Sequence, residues 1–369
     1  MKTKSFKILT FLLFSIFSLF AIRGNYNNGI KKYNYKEEKK IQKEFTLSKE
    51  GLVAVKNQFG DINIATWDEN RVVFDVIITI EGNDLEKVKE KLNEIGIDFS
   101  NTADEIRAIT VFEKEKSWWQ GWSKKNNLHF SIKYNIKMPK TANVELANDY
   151  GAILIDYLEG NTEINCDYGK LILGELHGES NKINFDYTND SSIEYIKIGD
   201  ISANYSNIIV EKADVLDIRM DYTKAEIVEI KDLEFNNDYG GLRVNNVTNI
   251  TGNGDYVTLK IGKVAENLDI AADYGSIKVS HILPTTKKIQ IEADYTGVKL
   301  GIDPKWAFSF NVDLEYARLK YGDLPLEMEV VREEHSDRYY NGYHLSKENE
   351  GSININIDYG SVKFLAVDY

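Results

Sequence analysis

From residue 144 onward the chain alternates apolar and polar positions in short runs that stop and restart at a near-constant interval. Leu268, Ile270 and Ala272, or Ile353, Ile355 and Ile357, would share one face of an extended strand. Each run ends at a tyrosine, as in Ile183, Phe185, Tyr187, and the next apolar positions fall three and five residues later, as with Ile277 and Val279 after Tyr274. The inward phase slips by one residue at the Tyr-Gly step, which predicts a bulge or corner with the tyrosine ring turned inward. Thr188, Thr223, Thr296 and Val257 stand where glycine follows other tyrosines, so that next position does not require a positive φ.

The tyrosines are Tyr150, Tyr168, Tyr187, Tyr205, Tyr222, Tyr239, Tyr256, Tyr274, Tyr295, Tyr316 and Tyr359, at steps of 17 to 21 residues until a last step of 43. A period near 18 makes each turn of chain a unit that covers its apolar face only by stacking on the next. The expected fold is all-β: a single-stranded β-solenoid, right-handed and β-helix-like, over 143–369. The long last step holds an insertion, 323–351, in which Tyr339, Tyr340, Asn341, Gly342 and Tyr343 predict a hairpin turning at Asn-Gly.

Before the repeat the pattern changes. Runs at 45–47, 52–55, 62–65 and 72–80, then 106–112 and 128–138, read as strands by β-branched content. Asn83 to Ile95 reads as one amphipathic helix, Asn83 and Glu86 forming a capping box. Residues 44–142 are thus expected as a small N-terminal α+β cap domain, following a flexible leader over 25–43. Residues 1–24 carry a basic start and an apolar run from Ile8 to Ile22, the pattern of a signal peptide, which implies export to the periplasm or cell surface of a bacterium. The apolar run is short for a membrane span, so no membrane insertion of the mature chain is expected.

Composition narrows the function classes. The net charge is −13, and loss of residues 1–24 would remove Lys2, Lys4, Lys7 and Arg23 as well; nucleic acid is therefore not an expected partner. The lone cysteine, Cys166, reads as a core residue rather than part of a disulfide framework. Five histidines lie without metal-ligand spacing, and no phosphate loop or nucleophile elbow is present, so no catalytic residue, metal or cofactor is assigned and the chain is read as a non-enzyme. His335 and His344 read as members of a solvated loop.

Two charged columns arise from the repeat. Aspartates at 149, 167, 186, 221, 238, 255, 273, 294 and 358 precede the tyrosines and would repel their neighbours by about 0.9 kcal/mol at 4.8 Å in water. Either each accepts backbone N–H bonds at its own corner, or a row of Ca²⁺ or a cationic partner neutralises them. Four residues after the tyrosines, Arg243, Lys260, Lys278, Lys299, Lys320 and Lys363 face outward on the other side. The first turns, Ile153 to Ile155 and Leu171 to Leu173, are apolar on both faces, which predicts a cover over them. The nearest candidate cover is the cap domain or its loop with Trp118, Trp119 and Trp122, which is alternatively an exposed platform for a glycan or protein partner. With Tyr339, Tyr340 and Tyr343 of the insertion, these tryptophans are the candidate partner-binding residues.

Residues 55–67 (Val-Lys-Asn-Gln-Phe-Gly-Asp-Ile-Asn-Ile-Ala-Thr-Trp), Met138-Pro139-Lys140, the Tyr-Gly turns, and Tyr343 followed by 351–362 give the chain a resemblance to exported bacterial β-strand-repeat proteins known as the "putative adhesin" family. The resemblance covers nearly the whole chain after the signal segment. It implies a β-solenoid in an envelope or surface setting and supplies no catalytic residues. The functional expectation is a binding or scaffolding protein contacting an envelope glycan or protein; the alternative is a carbohydrate-active solenoid enzyme using acidic residues, with or without Ca²⁺.

Overall fold

The computed structural model describes residues 33–113 and 128–367. The signal segment and the loop bearing Trp118, Trp119 and Trp122 lie outside the described residues. Asn34–Tyr369 forms one compact unit, nearly all strand, with a single α-helix among the described residues.

Past residue 142 the chain passes back and forth between two parallel ladders. In the first, Asn143–Asp149 pairs with Thr162–Asp167, which pairs with Asn181–Asp186, so Asp149, Asp167 and Asp186 come into register. In the second, Ala152–Leu158 pairs with Lys170–Leu176, which pairs with the start of Ser191–Asn204. From Ser191 to Asp273 each strand, 14 to 16 residues long, serves both ladders. In-register stacking puts like residues above like, so alternate apolar positions make continuous buried rows such as Ile193, Val210, Ile227, Val244 and Ile261. Such rows exclude water along the whole sheet, and a shift of one residue would expose them all.

The N-terminal segment expected as a separate cap is hydrogen-bonded into this sheet. Leu52–Gln58 pairs in parallel with Asn143–Asp149, and Ile62–Ile64 with Ile153–Ile155. Phe59-Gly60-Asp61 thereby occupies the corner position one rung before Tyr150. Order begins earlier than the expected leader allows: Tyr35–Thr46 pairs antiparallel with Arg71–Gly82 along its full length. Lys36, Glu38 and Lys40 made this stretch read as polar leader, but alternation with the half-buried Glu37, Lys39 and Ile41 is an edge-strand pattern. The helix is Leu85–Glu94, capped by Asp84, whose carboxylate accepts from Lys87 N at 3.3 Å. Asn83, the expected cap, instead accepts from Asn34 N through its side chain.

Spatial order departs from sequence order at the far end. Gly351–Asp358 inserts between Lys288–Asp294 and Phe308–Glu315, in parallel with both. The 323–351 insertion does form a hairpin, Leu326–Glu334 with Asp337–His344, but it turns at His335-Ser336, where His335 has φ 54°. Asn341-Gly342 is mid-strand. Glycine is needed there for space, since a Cβ would lie 2.1 Å from Glu327 O and 2.8 Å from the Phe310 ring. Asp337–His344 pairs antiparallel with Phe308–Glu315 and so covers what would be an open edge. His344 is fully buried, its Nδ1 donating to Trp306 O at 2.8 Å, and does not belong to a solvated loop.

Candidate functional site: the ribbed face

Each tyrosine of the repeat lies in the left-handed region, with φ between 49° and 60°. An L-residue there costs about 1–2 kcal/mol, and an aromatic one is uncommon. The geometry reverses the side chain's direction, so the phase slips at the tyrosine itself. Residues two and four before it and one, three and five after it face inward, and the ring faces out. The expectation of inward rings is therefore corrected: the tyrosines are 45–57% exposed.

What holds them is one another. Successive rings stack with centroids 4.7–5.2 Å apart and planes within 11°. Phe59 extends the ladder beyond Tyr150 at 5.4 Å and has φ 65°. Because Gly351–Asp358 is interposed, Tyr359 stacks between Tyr295 and Tyr316. Each contact contributes about 0.5–1.5 kcal/mol beyond its buried area, enough for two neighbours to offset the backbone cost. Backbone bonds continue through the corner, as from Tyr222 N to Asp238 O at 3.0 Å. The hydroxyls of Tyr168, Tyr239, Tyr274 and Tyr359 are held above the usual tyrosine range, first by desolvation and then by neighbouring tyrosines.

The residue after the tyrosine fills the corner. Thr223 is fully buried; its Oγ1 donates within a pair of carbonyls, Ala203 O and Asp221 O, and accepts from Ser206 N. Thr188 and Thr296 bridge the same way. The glycines at this position do not have positive φ, as the threonines at equivalent corners indicate.

Asp149, at the start of the aspartate column, accepts from the Gln58 side chain of the preceding rung at 3.1 Å, and later members take backbone bonds from the next rung rather than their own corner. Asp186, Asp238 and Asp273 accept from the backbone N–H of Asn204, Asp255 and Asp294 at 3.2, 3.0 and 2.8 Å. Burial, then like charge from neighbouring carboxylates, raises Asp167, Asp255 and Asp294 above the ordinary carboxylate range. Among the described residues, no group of three or more His, Cys, Asp or Glu is arranged to hold a metal ion. Cys166 is buried, and its thiol is pushed up to about 12, chiefly by desolvation.

On the other side of the tyrosines the cations form one unbroken file: Arg243, Lys260, Lys278, Lys299, Lys363 and Lys320 are successive register partners. All six are exposed. Elsewhere lysines meet acids on adjoining rungs, as Lys197 does Glu179, Lys231 Asp214, and Lys288 Asp269. Among the described residues the six cations have no ion-pair partner. Toward the first turns the same outward position is apolar; of the residues expected to be covered, Leu154 is half-buried and Ile172 is 40% exposed, and Ile209 on a later rung is 44% exposed.

Of the hairpin tyrosines, Tyr340 is buried, with its hydroxyl donating to Glu333 at 2.6 Å and pushed up to about 12 by burial and that carboxylate. Tyr339 donates to Asn311 at 3.1 Å, and Tyr343 is half-buried. The structure thus brings together the tyrosine, aspartate and cation columns and leaves the hairpin tyrosines on a different strand. The ladder role of Phe59 was missed, although Phe59-Gly60-Asp61 carries the Tyr-Gly signal in altered form.

No family model and no curated protein matches the chain. Solved structures do. A "putative cell adhesion protein" from Clostridium sporogenes is similar at 11% identity over 90% of this chain and all of its own, with a TM-score of 0.20. A "putative adhesin" from Parabacteroides merdae is similar at 11% over 88% of this chain and 96% of its own, TM-score 0.30. A "putative lipid binding protein" from Parabacteroides distasonis gives the same identity and coverage, TM-score 0.27. The first two descriptions are of the kind that the sequence resemblance names, the third is not, and superpositions this loose carry nothing about activity or partner.

Proposed function

We propose that the chain winds as a right-handed single-stranded β-solenoid of about 18 residues per turn and acts as a non-enzymatic binding or scaffolding protein of the bacterial envelope. In this reading 44–142 caps one end of the coil, the 323–351 hairpin covers the other, and the 1–24 segment directs export to the periplasm or cell surface. The supporting observation is the ladder: the same side chains recur, half exposed, about 4.9 Å apart over eleven tyrosine rungs. A surface that repeats in this way suits a partner that also repeats, because many weak contacts then act together. Trp118, Trp119 and Trp122, with Tyr339 and Tyr343, are the further contact candidates.

The test is capture of an envelope glycan or protein by the full chain. Replacing the three tryptophans by alanine should abolish capture while leaving the melting temperature unchanged. A large fall in melting temperature would show that the loop is packing and remove it as a contact. Turnover of any member of a polysaccharide panel would overturn the non-enzymatic reading.

A further inference from the structure

One strip of the described surface combines a file of cations, regular spacing and open room. Two residues after the tyrosine the outward position is small on five successive rungs, Gly241, Thr258, Ser276, Gly297 and Ser361, which are register partners; on the Tyr316 rung it is Arg318. A shallow channel therefore runs between the tyrosine edges and the file of six cations. Two depressions lie on it. One, of about 570 Å³, is lined by Gly241 and Thr258 with Lys224, Arg243 and Lys260, and by Asp190 and Glu226 where the cationic file ends. The other, of about 610 Å³, is lined by Tyr316, Arg318, Lys320 and Arg338 with Gly360 and Ser361. Lys278, Lys299 and Lys363 carry the file between them.

Like charges directly opposite one another on neighbouring strands destabilise a sheet. On other faces this chain places acids beside its lysines; along this file the one acidic register partner is Glu226, opposite Arg243 at its end, although acidic residues outnumber basic ones overall. An anion in the channel would relieve that repulsion. The strip is one cation wide and bounded across the tyrosines by aspartates, so it suits a narrow chain with single charges, not a duplex. Within the ladder the ring faces are consumed by stacking on each other, which leaves a face only at its end, on Tyr316, and disfavours a single-stranded nucleic acid running along it. Hydroxyls from Thr258, Ser276 and Ser361, and the tyrosine edges, suit the hydroxyls of sugars. The rise of one residue in an extended β-1,4-linked chain is close to one rung.

We infer that this channel binds a linear anionic polysaccharide, with uronate carboxylates on the file from Arg243 to Lys320 and the chain running along the stack of rungs. This rests on the binding role proposed above and names its ligand class and face. The contact is purely non-covalent.

The test uses the full chain with β-1,4-linked polymannuronate oligomers of four and eight residues, a neutral mannan oligomer and a single-stranded DNA of matched length. The longer uronate should bind more tightly than the shorter, binding should weaken with added salt, and the mannan should not bind. Lys260→Gln/Lys278→Gln/Lys299→Gln should cost about tenfold or more in affinity, with an unchanged circular dichroism spectrum. Lys197→Gln/Lys231→Gln/Lys288→Gln, which removes as much charge from other faces, should stay within about twofold. Equal losses in the two variants, binding of the mannan, or DNA binding as tight as the uronate would each overturn the inference. An envelope glycan fraction retained in full by the first variant would overturn it too and leave the binding role standing. Wild-type chain that holds neither the oligomers nor the fraction would remove both.

Discussion

A substitution series at Tyr222 separates the two forces that set the corner. Its ring lies 4.9 Å from Tyr205 and 4.9 Å from Tyr239, nearly parallel to both, at φ 50°. Removing the ring abolishes two stacking contacts, together about 1–3 kcal/mol. It also uncovers about 100 Å² of apolar surface, half the ring's total, for at most about 2.5 kcal/mol. Alanine keeps the left-handed backbone cost of about 1 kcal/mol, whereas glycine adopts this region freely. The expected order of stability is wild type, then Tyr222→Gly at about 2–4 kcal/mol below it, then Tyr222→Ala about 1 kcal/mol lower still. Tyr222→Phe should remain within about 0.5 kcal/mol, because the ring is kept and the hydroxyl faces water. Urea unfolding, followed by circular dichroism and by fluorescence, reads the midpoints and shows whether the array still unfolds as one unit. Alanine equal to or better than glycine would refute the left-handed constraint. Phenylalanine falling with alanine would refute stacking as the source of stability.

Asp255 has its pKa raised in the folded state, so its contribution to stability is present at low pH and lost as pH rises from the ordinary carboxylate value through the raised one. Asp255→Asn, which copies Asn204 in the same column, should therefore raise the thermal midpoint at pH 7 and lose that advantage below about pH 4. Thr223→Val leaves Ser206 N without its buried acceptor and should cost about 1–3 kcal/mol, measured by the same urea unfolding. Gly342→Ala should open the hairpin through the Glu327 carbonyl contact, with faster hydrogen exchange in Asp337–His344 than in the central rungs. A hairpin that tolerates alanine there would contradict the steric role assigned to this glycine.

Legibility followed the range of the forces involved. Alternation and the recurring tyrosine are local signals, and they suffice to define the strands, the period, the phase slip and the file of cations, because a parallel in-register stack copies sequence spacing onto space. The identity of Cys166 as core and the helix near 85–94 were legible for the same reason. The site was legible as three columns, but its relief was not: alternation alone carried Tyr187 inward after Ile183 and Phe185, whereas the left-handed backbone turns it out. That choice depends on a neighbouring ring at the right height, which exists only once rungs stack. Likewise Asn341-Gly342 has the local chemistry of a turn, and only its packing against Phe310 and Glu327 places it within a strand. The position of Gly351–Asp358 between two earlier strands is a matter of tertiary pairing that no periodicity encodes. Sequence by itself determined a repeating β architecture with ordered columns of charge; the tertiary structure decided which side of the corner the tyrosines occupy, the order of the last rungs, and the channel that opens between ring edges and cations.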